Sequence, residues 1–373
     1  MKVRRYRRGV LSGTLLAALA GCGSPGVPRP PSLNLPEPVA DLRAIRKGDH
    51  VNLSWTVPAE TTDNRAIRNP GPTRICRSLQ ATIGDCSSPG LIAAVLLPPL
   101  RLPQPKSQQA KPAKSAEKVT ATYSDPVPVA LLSNDPAVHI FYAVSVLNKN
   151  DRTAGLSNIV SVPAVAALSP PADLNAKVTA EGIVLTWSGA EHSPDTPALQ
   201  HVYRVYRRSQ ESATDTIVGA LPLDAAALQL VDNSFEWEKT YSYRVTIVTL
   251  IHPEGSPATE FEGDDTLPVM VFAHDIFPPA VPTGLQAVFS AVGQQSFIDL
   301  VWAPDTESDL AGYNIYRREN GVEPVKLNST PVTTSAFRDV NVKSGHTYIY
   351  SVSGIDIRGN ESTRSQEASE AVP

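Results

Sequence analysis

Three short stretches decide how this chain folds: Val51-Asn52-Leu53-Ser54-Trp55, Ile183-Val184-Leu185-Thr186-Trp187 and Ile298-Asp299-Leu300-Val301-Trp302. In each, the first, third and fifth residues are apolar and end on tryptophan. Side chains alternate across a strand, so these three share one face. The pattern is that of a half-buried strand and does not fit a helix.

Two further sets follow in the same order. Thr73-Arg74-Ile75-Cys76-Arg77-Ser78, Tyr203-Arg204-Val205-Tyr206-Arg207-Arg208 and Tyr313-Asn314-Ile315-Tyr316-Arg317-Arg318 form one. Ile140-Phe141-Tyr142-Ala143-Val144, Tyr241-Ser242-Tyr243-Arg244-Val245 and Tyr348-Ile349-Tyr350-Ser351-Val352 form the other. Ordered recurrence of three signatures marks an internal repeat. Each unit also opens alike, at Pro38-Val39-Ala40-Asp41-Leu42, Pro171-Ala172-Asp173-Leu174 and Pro282-Thr283-Gly284-Leu285. A sheet with one apolar face must bury it against another layer. The expected class is therefore all-β, with tandem antiparallel β-sandwiches.

These residues resemble fibronectin type III domains, seven-stranded sandwiches with a tryptophan on the second strand and a tyrosine corner on the sixth. The resemblance covers about residues 37–373. It implies core positions for Trp55, Trp187, Trp302, Tyr142, Tyr241, Tyr243, Tyr348 and Tyr350. The corner tyrosine falls on Tyr241 and Tyr348; the first unit has Ile140 there, so its corner hydrogen bond is expected to be missing. The expected domains are 38–164, 170–274 and 279–373. Proline-bearing links, Pro163–Pro171 and Asp275–Pro282, are read as semi-rigid spacers, giving an elongated rod.

The amino terminus reads as an address. Lys2, Arg4, Arg5, Arg7 and Arg8 precede an apolar run, Val10–Ala20, too short for a permanent span of about 20 residues. Leu19-Ala20-Gly21-Cys22 resembles the lipobox of bacterial lipoproteins, which implies a signal peptide over 1–21 and acylation of Cys22. Several acyl chains give stable anchoring to a membrane. Gly23 in place of Asp leans towards the outer membrane, with either face open. Residues 22–37, rich in Pro, Gly and Ser, read as a tether. Removing residues 1–21 takes the net charge from −4 to −9. That argues against a polybasic lipid-binding role and against a nucleic-acid binder. Proline, at 34 of 373 residues, opposes a mainly helical protein.

Within the first unit, 98–118 carries five prolines, five basic residues and one acid. It reads as a disordered, solvated insertion, the alternative being a basic arm for an acidic partner or surface polysaccharide. Cys76 and Cys86, ten residues apart in an exported chain, fit a disulfide across a hairpin or two free thiols. Cys76 is out of phase with Ile75 and is expected to point outwards.

Chemistry-bearing patterns are scarce. The seven histidines show no ligand spacing, and no GxSxG, Walker or GxGxxG motif occurs. Asp305, Glu307 and Asp309 read as solvated loop acids, with Ca²⁺ ligation the lesser reading. Arg207-Arg208 and Arg317-Arg318 read as edge protection, or as ligand-facing. The sequence therefore points to no catalytic residue, no cofactor and no metal. It points to a membrane-anchored interaction, adhesion or scaffolding protein with an envelope protein or polysaccharide partner. The alternative is a carbohydrate- or cell-wall-associated module serving a polysaccharide-processing system.

Overall fold

A computed structural model describes residues 33–67, 70–87, 90–96, 118–190, 195–252, 255, 257–292 and 295–373. Cys22 and all of the 98–118 insertion except Lys118 lie outside the described residues.

The apolar alternation emerges as antiparallel strands around three separate cores. The first sandwich sets β1 (Arg43–Lys47), β2 (His50–Thr56) and β5 (Thr120–Pro126) against β3 (Pro70–Ser78), β4 (Leu91–Val95), β6 (His139–Asn148) and β7 (Val160–Pro163). In the second, β8 (Ala172–Thr179), β9 (Gly182–Ser188) and β12 (Gln229–Asp232) face β10 (Leu199–Ser209), β11 (Thr216–Pro222) and β13 (Thr240–Ile251). Its last strand is broken into β14 (Thr259–Asp265) and β15 (Val269–Phe272), which pair with opposite halves of β13. The third pairs β16 (Gln286–Val292), β17 (Gln295–Val301) and β20 (Ala336–Asp339) with β18 (Leu310–Glu319), β19 (Val325–Lys326), β21 (Thr347–Asp356) and β22 (Ala368–Ala371). Each is a three-stranded sheet on a four-stranded one, the fibronectin type III-like arrangement. Among the described residues no helix is long and apolar enough to cross a membrane.

Trp55, Trp187 and Trp302 are buried between their sheets. Trp187 packs edge-on against Tyr203 at 5.6 Å between ring centres, and Trp302 against Tyr313 at 5.1 Å. Such contacts add to plain burial. The first unit has Thr73 where the others have those tyrosines.

The sandwiches are not strung end to end as spaced beads. The sheet of β1, β2 and β5 is continuous with the four-stranded sheet of the second unit, through a parallel pairing of β1 with β14 at Lys47 and Glu262. Gly48, at φ +55° in the β1–β2 turn, donates its N–H to the Glu262 carbonyl at 2.8 Å. This left-handed backbone suits glycine. A small apolar cluster of Val165, Ile251 and Phe261 seals the joint. The semi-rigid spacing expected between the first two units is thus corrected to a packed joint. An edge strand offers unpaired N–H and C=O groups, and β14 supplies partners for β1.

Both links are packed. Ala164 and Val165 are buried, and Leu168 lies against the second core. Ala280 N–H donates to Glu307 Oε1 at 2.9 Å. Residues 33–37, expected as tether, instead dock on the first sandwich. Glu37 N–H donates to the Glu60 carbonyl, and Asn148 Nδ2 donates to that of Leu33. Their carbonyl and N–H groups find fixed partners, which a solvated tether does not require.

Candidate functional site

One constellation occurs three times. Arg77, Arg207 and Arg317 stand directly opposite Tyr142, Tyr243 and Tyr350 across the central strands of their sheets. The facing sheet contributes Asp125, Asp232 and Asp339, each opposite the first apolar residue of the tryptophan strand: Val51, Ile183 and Ile298. Each tyrosine Oη donates to its aspartate Oδ2, at 2.7, 2.8 and 2.9 Å. Each arginine Nη1 donates to the same oxygen, at 2.8, 2.7 and 2.7 Å. All three carboxylates are buried.

The electrostatics follow. Burial alone raises a carboxyl's pKa, but hydrogen bonds from Ser234 and Tyr243 and the charge of Arg207 hold Asp232 below the ordinary range. The three phenols are pushed far above theirs, first by burial and then by the adjacent carboxylate. In the second unit a phenol raised by burial and a carboxylate held low face one guanidinium. The arrangement is a cross-sheet clamp.

The clamp corrects the reading of the paired arginines. Arg207 and Arg317 lie on β10 and β18, interior strands with a neighbour on each side. They point into the sandwich and protect no edge. Arg208 and Arg318 face out and pair with Asp215 and Glu367. The aspartates were missed, although a signal recurs: Tyr123-x-Asp125, Leu230-x-Asp232 and Phe337-x-Asp339.

Tyr241 and Tyr348 each close a corner. Glu236 N–H donates to Tyr241 Oη at 2.9 Å, and Lys343 N–H to Tyr348 Oη at 3.0 Å. In the first unit Ile140 is buried in the core instead. Cys76 and Cys86 form a disulfide, with Cα atoms 5.4 Å apart. Cys76 is fully buried, although it lies outside the core cluster that holds its neighbour Ile75. The bridge draws the loop carrying Cys86 over the outer side of β3.

The joint between the first two sandwiches is strongly charged. Lys47 Nζ meets Glu262 Oε2 at 2.7 Å and Asp265 Oδ1 at 2.8 Å. Tyr206 Oη donates to Glu262, and Arg244 pairs with Asp265 and Asp215. Burial works to raise Glu262, but Lys47 and Tyr206 outweigh it, leaving its pKa lowered. Arg46 lies over the Phe261 ring at 4.3 Å.

The run Asp305, Glu307, Asp309 is not one cluster of solvated acids. Glu307 holds the second link through Ala280, and Asp305 Oδ1 accepts from Glu307 N–H. Asp309 alone joins other acids, Asp275 and Asp356. A pocket of about 630 Å³ opens beside Leu33, Thr61, Arg65, Ile67 and Asn148, and among the described residues its lining contains no histidine, cysteine or carboxylate. Among the described residues Phe272 is the one exposed Phe, Tyr or Trp ring, and the His274 imidazole stacks on it at 5.6 Å.

No family model matches the chain. It is 41% identical over 95 residues to an amylopullulanase of Thermoanaerobacterium saccharolyticum, a stretch making 24% of this chain and 7% of that protein. With an amylopullulanase of Thermoanaerobacterium thermosulfurigenes it shares 41% over 98 residues, 25% of this chain and 5% of that one. The chain thus spans under a tenth of the length of these curated relatives. Among solved structures, it is similar to an Fn3-like protein from Clostridium thermocellum, with 31% identity, 26% of this chain, 96% of that chain and a TM-score of 0.22. It is also similar to the FN1–FN3 domains of chicken CNTN1, with 13% identity, 90% of this chain, 99% of that chain and a TM-score of 0.25.

Proposed function

We propose that this chain is a non-catalytic, lipid-anchored envelope protein whose fibronectin type III-like sandwiches present a contact surface to an envelope protein or polysaccharide. In this reading Cys22 is acylated and Gly23 directs the protein to the outer membrane. The observation that carries the non-catalytic reading is the clamp. The aromatic, acidic and basic side chains that recur in every unit are all engaged in holding sheets together. Contact is left to loops and strand edges, the usual interaction surfaces of rigid sandwiches. Mass spectrometry of the mature amino terminus tests the anchor: an acylated Cys22 is expected, and an unmodified terminus overturns it.

A second reading, a module serving a polysaccharide-processing system, is favoured by the likeness to segments of two amylopullulanases. The scarcity of exposed aromatic rings weighs against sugar stacking. A glycan array probed with the full chain separates the two readings. Saturable binding to one glycan class supports the second, and a blank array supports a protein partner.

A further inference from the structure

At the joint between the second and third sandwiches, three carboxylates converge from separate segments. Asp275 lies in the link after β15, Asp309 immediately precedes β18, and Asp356 ends β21. One oxygen of each lies within 4.8 Å of the other two. Asp275 and Asp356 are 3% and 2% exposed, and Asp309 is half-buried. Like charges gathered out of water are unfavourable unless something compensates them.

Asp356 is provided for. Its Oδ1 accepts from the N–H groups of Arg358 and Asn360, and its Oδ2 from Asn360 Nδ2. Asp275 is different. Its Oδ1 accepts from the Phe277 N–H, but its Oδ2 is buried and receives no hydrogen bond. The cation beside it is Arg358, whose Nη1 stands off at 3.4 Å while its Nε lies 3.5 Å from Glu238 Oε1. Arg358 is thus shared between two acids and closely engaged with neither.

We infer that this joint binds one Ca²⁺ ion through the carboxylates of Asp275, Asp309 and Asp356. Three oxygens at most 4.8 Å apart leave a centre about 2.8 Å or less from each, against a Ca²⁺–O distance of about 2.3–2.6 Å. Small side-chain rotations close that gap. The donors are all oxygen, which selects a hard cation over zinc. Mg²⁺ demands a tighter octahedron at about 2.0–2.1 Å. The half-exposed side at Asp309 admits the waters that complete the coordination. The ion satisfies Asp275 Oδ2 and leaves Arg358 to Glu238. It ties the link to the two loops of the third sandwich and so stiffens the joint.

Equilibrium dialysis of the EGTA-treated full chain against radiolabelled Ca²⁺ tests this, with thermal melts alongside. The expected result is one equivalent bound, with a dissociation constant on the order of 10⁻⁴–10⁻³ M, the range of low-affinity Ca²⁺ modules. Binding raises Tm, and Mg²⁺ at the same concentration gives a smaller rise. Asp309→Asn, at a half-exposed position, keeps the fold and loses the bound equivalent; Asp275→Asn does the same. Arg358→Ala binds at least as tightly as the parent chain. Absence of a saturable equivalent in the parent chain overturns the proposal, as does undiminished binding in a folded Asp309→Asn variant.

Discussion

Tyr243 Oη donates a 2.8 Å hydrogen bond to Asp232 Oδ2, the same oxygen that Arg207 Nη1 meets at 2.7 Å. This relation joins the two sheets of the second sandwich by charge as well as by packing. Removing one partner of a buried ion pair strands the other, at a cost of about 3–5 kcal/mol. Asp232→Ala is therefore expected to lower unfolding free energy by about that amount in urea titration. A loss below about 1 kcal/mol, the worth of an exposed pair, contradicts the clamp.

The same groups set the pH response. Asp232, Glu262 and Asp215 are held below their ordinary range in the folded chain. Their stabilisation is present above the unfolded-state values of about 3.9 for Asp and 4.3 for Glu, and is lost as pH falls through the folded values. The phenols of Tyr142, Tyr243 and Tyr350 are raised, so their contribution holds below about pH 10 and is lost above it. Stability should be level through neutrality and fall on both flanks. Phenolate absorbance should show these three tyrosines silent until the chain unfolds; their titration while folded contradicts the assignment.

Trp302 separates packing from polarity. Its indole N–H is buried without an acceptor, as are those of Trp55 and Trp187. Trp302→Ala should cost about 3–5 kcal/mol. Trp302→Phe keeps most of the apolar contact and removes an unsatisfied donor, so its loss should be clearly smaller. Equal losses on chemical denaturation refute that division.

Reduction of the Cys76–Cys86 bridge frees a ten-residue separation. In the chain-entropy model this destabilises by roughly 2–3 kcal/mol. The Cys76→Ala, Cys86→Ala double variant should show that loss, mostly in the first sandwich. An unchanged midpoint counts against a structural bridge.

Lys47→Glu places a third acid beside Glu262 and Asp265. The β1–β14 pairing should open, raising the radius of gyration in small-angle scattering while each core stays folded. Scattering identical to the parent chain means that the joint does not depend on this charge.

The sequence by itself determined the three apolar stripes, because alternation is local: Leu53, Leu185 and Leu300 follow their neighbours' phase whatever the strands pair with. The likeness to fibronectin type III domains placed Tyr241 and Tyr348 at their corners, and the ten-residue spacing of Cys76 and Cys86 left a bridge open to them. Tertiary structure decided the partners. Asp125, Asp232 and Asp339 sit on strands with weak apolar signatures, and only sheet pairing sets them beside Arg77, Arg207 and Arg317. The same holds for β1 on β14 and for Asp275, Asp309 and Asp356 at one joint. These residues are tens to hundreds of positions apart, and long-range adjacency follows from which sheet edges close on one another, a choice no local pattern encodes.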